Sequence, residues 1–305
     1  AAAAPLARLR SGLNHPWHAI RDRLWAASRP RLPKLYYTNG GIGDELMLTA
    51  VARAARAAGR PIPILASYPD LWRNNSDPTT LQTSVERWHY AQRRGWIRTE
   101  LVHLAYRTGA PGHIGEQMAA VAGVVLPRGW RPILPVAPAA SRRPRLVVVQ
   151  NSCRGARYAA TTKEWPQEHW RELALRLSRD CELVQIGSPQ DPRLETARDL
   201  RGQTTLLGAA SLLAEAALFI GLESGLQHVA AAMETKSVVI YGGRSRPSET
   251  GYPFNHNLAR SPSCVVCGLN NDCPYGLMCI DIPVEEVEAA ARAALAGASP
   301  NSHAA

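Results

Sequence analysis

The sequence predicts an α/β fold of two domains, and three observations support this prediction. Residues 218–243 read as a short buried strand, a turn bounded by glycines, a helix of small residues and a second strand, which is the order of a βαβ unit. A further strand, glycine-rich turn and helix are predicted between 34 and 58. Five prolines between 127 and 145 exclude a long helix or central strand there, so this segment reads as an interdomain linker.

Length and composition set the class of protein. A chain of 305 residues, 46% of them hydrophobic, is long enough to bury two cores. No apolar run reaches the roughly 18 residues of a membrane-spanning helix, and no signal peptide with a long apolar centre is visible, so we expect a cytoplasmic protein. The net charge of +10 favours an anionic partner, and charge alone leaves open phosphorylated glycolipid, the inner leaflet of a membrane and nucleic acid.

Two segments concentrate the basic charge. Residues 1–33 form a basic extension in which Leu, Ile and Trp recur at near-helical spacing. This amphipathic pattern predicts either peripheral contact with the inner membrane or loose packing on the protein itself. Between 80 and 118, arginines are interleaved with aromatic residues, which either hold a sugar and its phosphates or form a solvated basic face.

The turn inside the 218–243 unit carries polar residues. Ser224 and Gly225 stand where the helix begins, so their amides would be unpaired donors at the positive end of a helix dipole, which suits a phosphate. Glu223 precedes them and can accept hydrogen bonds from ribose hydroxyls, and His228 lies one turn into the helix. The alternative is an ordinary α/β turn in which Ser224 only caps the helix.

The other glycine-rich turn lies between a strand at 34–38 and a helix predicted at 45–58. Gly41 and Gly43 let the backbone bend sharply and approach a ligand closely. The turn lacks the dinucleotide-binding fingerprint, because Leu46 occupies the third glycine position. Asp44 ends the turn, and its carboxylate either does chemistry or only caps the helix.

Four of the six cysteines, Cys264, Cys267, Cys273 and Cys279, fall within one segment of sixteen residues, 264–279, which we call the cysteine loop. The two-residue gap between the first two lets both thiolates face one tetrahedral ion. The loop therefore predicts a structural metal, and zinc is the general expectation for four thiolates. Two disulfides, which a reducing cytoplasm disfavours, and free thiols are the alternatives.

Two stretches, 199–232 and 238–251, resemble the C-terminal half of the heptosyltransferase-like glycosyltransferases of family 9, and a weaker resemblance extends over 34–296. The family's D-S/T-G-x-x-H-x-A-A-A motif is matched from Glu223 onwards, with Glu in place of the usual Asp. The resemblance implies the GT-B architecture, in which two Rossmann-like α/β domains face each other across a cleft. The acceptor-side domain would span 34–135 and the nucleotide-sugar-binding domain 136–296, with a tail at 297–305.

Site residues follow from the same resemblance. The family's G-x-G-D motif implies that Asp44 is the catalytic base and that Gly41 and Gly43 belong to the acceptor-side loop. A family lysine that reaches the donor diphosphate, ahead of a Trp-Pro pair, is matched by Lys163. The implied donor-binding residues are Ser152, Lys163, Gly187, Glu223, Ser224, Gly225 and His228.

The implied reaction is inverting transfer of a heptose or related sugar from a nucleotide diphosphate sugar, such as ADP-heptose, to an anionic glycan, glycolipid or protein acceptor. No catalytic metal is implied, which agrees with the absence of a D-x-D motif. Some family members carry iron bound by cysteines, so the cysteine loop is expected to hold structural zinc or iron. Nucleic acid is not expected as a partner. Two alternatives remain: a nucleotide-sugar epimerase of the same fold, and a nucleic-acid-binding protein built on the cysteine loop and the basic charge.

Overall fold

The computed structural model of the protein describes residues 35–38, 41–81, 99–101, 112–137, 139–156, 159–267 and 269–297. Three predicted segments lie wholly or mostly outside these residues. They are the basic extension 1–33, most of the basic and aromatic segment 80–118, and the tail 297–305 apart from its first residue.

The N-terminal part contains a four-stranded parallel sheet in the order β3-β2-β1-β4. Its strands are β1 Leu35–Tyr37, β2 Pro63–Leu65, β3 Thr79–Leu81 and β4 Thr99–Leu101. Helices α1 Ile42–Ala57 and α2 Ile114–Val121 accompany it, with a short 3-10 turn at Pro69–Trp72. The sequence of residues 61–67, PIPILAS, predicts a strand, and its central part forms β2.

Helix α1 begins at Ile42, three residues earlier than the predicted start at Glu45. Gly41 is its N-cap, so Gly43 and Asp44 lie in the first helical turn and not in the loop before it. Acidic side chains are stabilised in this turn by the helix dipole, and a glycine costs less there than in a helix interior. The predicted start was therefore wrong, and Asp44 is held by helical backbone.

The C-terminal part contains a six-stranded parallel sheet in the order β10-β9-β8-β5-β6-β7. Its strands are β5 Arg143–Gln150, β6 Glu182–Gln185, β7 Arg198–Asp199, β8 Ala216–Leu222, β9 Ser237–Tyr241 and β10 His256–Ala259. Its helices are α3 Gln167–Leu177, α4 Leu206–Glu215, α5 Gly225–Ala232, α6 Pro247–Thr250 and α7 Val284–Leu295, with a 3-10 turn at Thr161–Lys163. The predicted βαβ unit is confirmed as β8, α5 and β9.

The side chains of β5 point alternately into two separate apolar cores. Leu146 and Val148 join a core that continues through α4 and α5 to α1 in the N-terminal part, whereas Val147 and Val149 face the core covered by α3 and α7. Successive side chains of a strand point to opposite faces, so one apolar run serves both layers. Within the described residues, no helix combines the length and apolar character needed to cross a membrane.

Candidate functional site

The strand order of the larger sheet reverses between β5 and β8. The chain runs from β5 outward through β6 and β7, and then from β8 outward through β9 and β10. Ligands of open parallel sheets bind beyond the carboxyl ends of the strands at such a reversal, because the connecting loops diverge there and leave a crevice. Gln150 ends β5 at this point and Glu223 follows β8.

Ser224 lies between the end of β5 and the start of α5. It is the N-cap residue of α5, but its side chain makes no capping hydrogen bond. Its hydroxyl instead donates to Gln150 Oε1 at 2.6 Å. The Ser224 side chain therefore ties the end of β5 to the start of α5 and does not cap the helix. Gly225 is the first helical residue, as the sequence predicted.

Lys163 and Glu223 form an ion pair in which the two side chains are only 13% and 7% exposed. Lys163 ends the 3-10 turn at Thr161–Lys163, in the connection from β5 to α3, and Glu223 follows β8. The sequence placed these residues 60 positions apart in separate motifs, and the structure joins their side chains. Together they place a cation and a carboxylate side by side beyond the carboxyl ends of β5 and β8.

Asp44 faces this pair from the N-terminal part. Burial raises the pKa of Asp44 to about 6, a backbone hydrogen bond from Gly41 opposes the rise, the charge of Glu223 adds to it and that of Lys163 lowers it. Its Oδ1 atom is buried and has no hydrogen-bond partner within the described residues. Gly41, not Asp44, is the N-cap residue of α1. A carboxyl group with a pKa near neutrality, within the electrostatic influence of Glu223 and Lys163, has the properties of a proton acceptor.

Glycines bring the two parts of the chain into close contact beside Asp44. A methyl group on Gly43 would lie 2.7 Å from His228 Cδ2 and 3.5 Å from Gly225 Cα. A methyl group on Gly225 would lie 2.5 Å from Ile42 Cγ2. The start of α1 and the start of α5 therefore meet, and only residues without side chains permit this approach.

His228 lies beneath the crevice and is 3% exposed. Its Nδ1 atom is 2.9 Å from the Tyr252 hydroxyl, and its ring edge faces Gly43. Burial, followed by the charges of His113 and Lys163, lowers the pKa of His228 to about 3. The imidazole is therefore neutral and supports the contact between α1 and α5 from below.

Two further predicted donor residues lie at the carboxyl ends of β5 and β6. Ser152 is buried, and its hydroxyl accepts a hydrogen bond from the Arg154 N–H at 3.1 Å. Gly187 has a φ of 141°, and a side chain there would collide with the Asp191 carboxylate. That carboxylate accepts a hydrogen bond from the Ser188 N–H at 2.8 Å. Both residues shape the loops around the crevice, and both lie on its C-terminal side.

Only some of the thiols in the cysteine loop lie close to one another. Cys267 Sγ and Cys279 Sγ both approach Gly243, where a methyl group would lie 3.4 Å and 2.9 Å from them. The pKa of the Cys279 thiol is raised mainly by burial, and the nearby Cys267 and Cys273 add to the rise. In the parts of the chain that the structure describes, no three His, Cys, Asp or Glu side chains are arranged to hold a metal. A closed shell of four thiolates would therefore require these side chains to move closer together.

Three residues around the crevice carry no clear signal in the sequence. Gln150 read only as the last residue of an apolar strand, and its bond to Ser224 depends on β5 and β8 being neighbours. Tyr252 directly follows the stretch 238–251, outside every motif in the sequence, and its ring contacts His113, Trp130 and His228. No motif in the sequence singles out Thr162. A polar residue directly before a predicted phosphate-binding lysine is a signal that could have drawn attention to it.

The fold and the crevice define the class of protein. Each part of the chain has a parallel sheet with helices, and the two parts meet at the starts of α1 and α5. The ligand crevice lies at the edge of the six-stranded sheet. This arrangement is the GT-B glycosyltransferase architecture. The structure of the Escherichia coli ADP-heptose lipopolysaccharide heptosyltransferase II has the same fold, with a TM-score of 0.62 and 18% identity, over 87% of this chain and 99% of that chain. The iron-containing dodecameric glycosyltransferase TibC of enterotoxigenic E. coli matches with a TM-score of 0.60 and 20% identity, over 86% and 73% of the two chains.

The chain belongs to glycosyltransferase family 9 (heptosyltransferase), whose sequence model matches residues 117–272, just over half of the protein. Lipopolysaccharide heptosyltransferase 1 of E. coli K12 is 29% identical over 120 residues, which are 36% of this chain and 37% of that protein. The chain thus aligns with little more than a third of this curated relative. The matched region contains β5 to β10 and the ion pair between Lys163 and Glu223.

Proposed function

We propose that the protein is an inverting heptosyltransferase that moves a heptose from ADP-heptose to an anionic acceptor, a glycan or glycolipid of the lipopolysaccharide type. Membership of family 9 supports the transfer reaction, and the relatives named lipopolysaccharide heptosyltransferase support the sugar and the acceptor. The observation that carries the proposal is the position of Asp44, whose pKa responds to the charges of both Glu223 and Lys163.

Asp44 serves as the general base in this proposal. At pH 7.5 a carboxyl group with a pKa of about 6 is mostly ionised, yet it is a stronger base than an ordinary aspartate. It takes the proton from the acceptor hydroxyl as that oxygen attacks the anomeric carbon of the donor. Attack on the face opposite the diphosphate inverts the configuration. The acceptor lies on the N-terminal side, beside Gly41 and Gly43.

The donor diphosphate lies at the start of α5 and against Lys163. The amides of the first helical turn and the lysine ammonium offset the charge that develops on the leaving ADP. Glu223 accepts hydrogen bonds from the ribose hydroxyls once Lys163 turns to the diphosphate. Ser152, Gly187 and the carboxyl ends of β5 and β6 surround the remainder of the nucleotide, and His228 supports the helix start from below.

The protein needs no metal for the chemical step in this proposal, because lysine and helix amides carry the leaving-group charge. We further propose that the cysteine loop binds a structural zinc or iron ion. Convergence of Cys267 and Cys279 on Gly243, with Cys273 near enough to affect the Cys279 thiol, supports this. Bound metal would supply order to a loop whose residues are mostly polar or exposed. We also propose that the protein works in the cytoplasm at the inner membrane, whose anionic surface would attract a protein with a net charge of +10.

A donor panel tests the proposal. Purified protein is incubated with lipopolysaccharide from a heptose-deficient strain and with ADP-heptose, ADP-glucose, UDP-glucose or GDP-mannose, and release of the nucleoside diphosphate is measured. ADP-heptose is expected to be the preferred donor, and NMR of the product is expected to show an inverted anomeric centre. Release of a modified nucleotide sugar without any acceptor would instead indicate the epimerase alternative.

A further inference from the structure

The cysteine loop holds the turn that carries Lys163 from one side. Thr162, directly before Lys163, is 1% exposed, and its hydroxyl donates to the Leu269 carbonyl oxygen at 2.7 Å. The Thr162 N–H also donates to the Asn270 carbonyl oxygen at 3.3 Å. Leu269 and Asn270 lie in the cysteine loop between Cys267 and Cys273. The backbone next to Lys163 is therefore fixed by a segment more than a hundred residues away in sequence.

Gly242 supports the same turn from the other side. A methyl group on Gly242 would collide with the Thr162 carbonyl oxygen and would lie 3.1 Å from Lys163 Cα. The end of β9 can therefore pack on this turn only because residue 242 has no side chain. The next residue, Gly243, accepts a hydrogen bond from the Cys267 N–H at 3.0 Å. The end of β9, the cysteine loop and the Lys163 turn thus form one packed unit.

We propose that Thr162 is a positioning residue that couples the cysteine loop to the Lys163 turn, and that this coupling sets the affinity for the nucleoside diphosphate. The inference rests on the donor-binding role proposed for Lys163. A lysine ammonium sits on a flexible four-carbon stem, so fixing its backbone removes much of the freedom that binding must otherwise restrict. Thr162 acts through the backbone and touches no substrate.

The substitution Thr162→Val tests the coupling, because valine keeps the shape and removes the hydroxyl. The dissociation constant of ADP is measured by calorimetry on the full chain. We expect binding to weaken by roughly 3- to 10-fold, the usual effect of losing one such hydrogen bond. Thr162→Ser should restore binding to near the wild-type value. The KM for the donor should rise more than kcat falls, since the lost contact orients a binding group.

A second variant reaches the turn by another route. Gly242→Ala introduces a methyl group that must displace the Thr162 carbonyl oxygen or Lys163 Cα. We expect this variant to weaken ADP binding at least as much as Thr162→Val does. Wild-type ADP affinity in both variants would overturn the proposed coupling.

Thr235→Val is the matched control. Thr235 is also 1% exposed, and its hydroxyl donates to the Leu213 carbonyl oxygen at 2.6 Å, but it lies before the start of β9, at the opposite end from Gly242. We expect this variant to lose thermal stability and to keep wild-type ADP affinity. Equal loss of ADP affinity in Thr162→Val and Thr235→Val would overturn the coupling and leave the donor site intact. No ADP binding by the wild type would instead overturn the donor site, and the coupling with it.

Discussion

Lys163 and Glu223 are joined in a buried ion pair at the point where the proposed donor must bind. Each side chain satisfies the charge of the other. A donor diphosphate would compete with Glu223 for the lysine, and ribose hydroxyls would then replace the lysine at Glu223. Removing one member leaves the charge of the other uncompensated in a site with little exposure to water.

Substitution of Lys163 should therefore weaken donor binding. For Lys163→Ala we expect the dissociation constant of ADP to rise about tenfold or more, because a hydrogen bond to a charged group contributes about 1.5–3 kcal/mol. Calorimetry at low and high salt measures the effect. Lys236→Ala is the control, since the Lys236 ammonium donates to the Ala294 carbonyl oxygen away from the crevice. Unchanged affinity in Lys163→Ala would remove Lys163 from the donor site.

The pH dependence of kcat/KM should report the pKa of Asp44. Activity is expected to rise with pH through a value of about 6 and then to level off, because the ionised carboxylate is the base. Glu223→Gln removes a negative charge that raises this pKa, so the acid limb should move to lower pH. Lys163→Met removes a charge that lowers it, so the limb should move to higher pH. Shifts of the opposite sign, or none, would contradict the placement of Asp44.

The ionised Asp44 carboxylate should also destabilise the folded protein at neutral pH. Its folded-state pKa of about 6 lies above the ordinary 3.8, so the folded state holds the proton more tightly than the unfolded state does. The stabilising contribution of the protonated Asp44 carboxyl is then fully present below about pH 4 and is lost as the pH rises through about 6. At pH 8, Asp44→Asn should raise the free energy of unfolding by on the order of 1–3 kcal/mol. Urea unfolding at pH 8 and pH 4.5 measures this; a variant less stable than wild type at pH 8 would contradict the buried carboxylate.

The contact between α1 and α5 should not tolerate a side chain at residue 43. In Gly43→Ala the new methyl group would lie 2.7 Å from the buried His228 ring, so the start of α1, and Asp44 with it, must shift. We expect at least a tenfold loss of turnover and about 1–3 kcal/mol of stability. Gly208→Ala, on the exposed first turn of α4, is the control and should keep full activity. Wild-type turnover in Gly43→Ala would mean that this contact is absent from the working enzyme.

Metal content tests the proposal for the cysteine loop. Protein purified without added metal should contain about one equivalent of zinc or iron, and Cys267→Ser should lower it and destabilise residues around 264–279. Elemental analysis gives the metal content, and thiol titration gives the number of free thiols. Four titratable thiols with less than about a tenth of an equivalent of metal would contradict a metal site, and loss of the thiols without metal would indicate disulfides.

The inner strands of both sheets were predictable from sequence, whereas the four edge strands were not. β3, β4, β7 and β10 contain two to four residues each, and β7 consists of Arg198 and Asp199 alone. An edge strand is covered on fewer sides, so it needs no apolar run to form. Central strands such as β5 and β8 are buried on both faces, and their continuous apolar runs made them visible.

Site residues divide in a similar way. Asp44, Lys163 and Glu223 stand in motifs that a resemblance can match one by one, so the sequence could predict a role for each of them. Their mutual placement depends on how strands far apart in the chain become neighbours, and no local pattern records that. The hydrogen bond from Ser224 to Gln150 and the support of Lys163 by Leu269 through Thr162 belong to this second kind.

The most direct measurement is the steady-state rate of heptose transfer from saturating ADP-heptose to heptose-deficient lipopolysaccharide, for the wild type and for Asp44→Asn. We expect transfer by the wild type, and a kcat lower by about 10²–10⁴ in the variant with ADP affinity within about twofold of wild type. No transfer by the wild type, or a near-normal rate in Asp44→Asn, would contradict the proposal that Asp44 is the base of a heptosyltransferase.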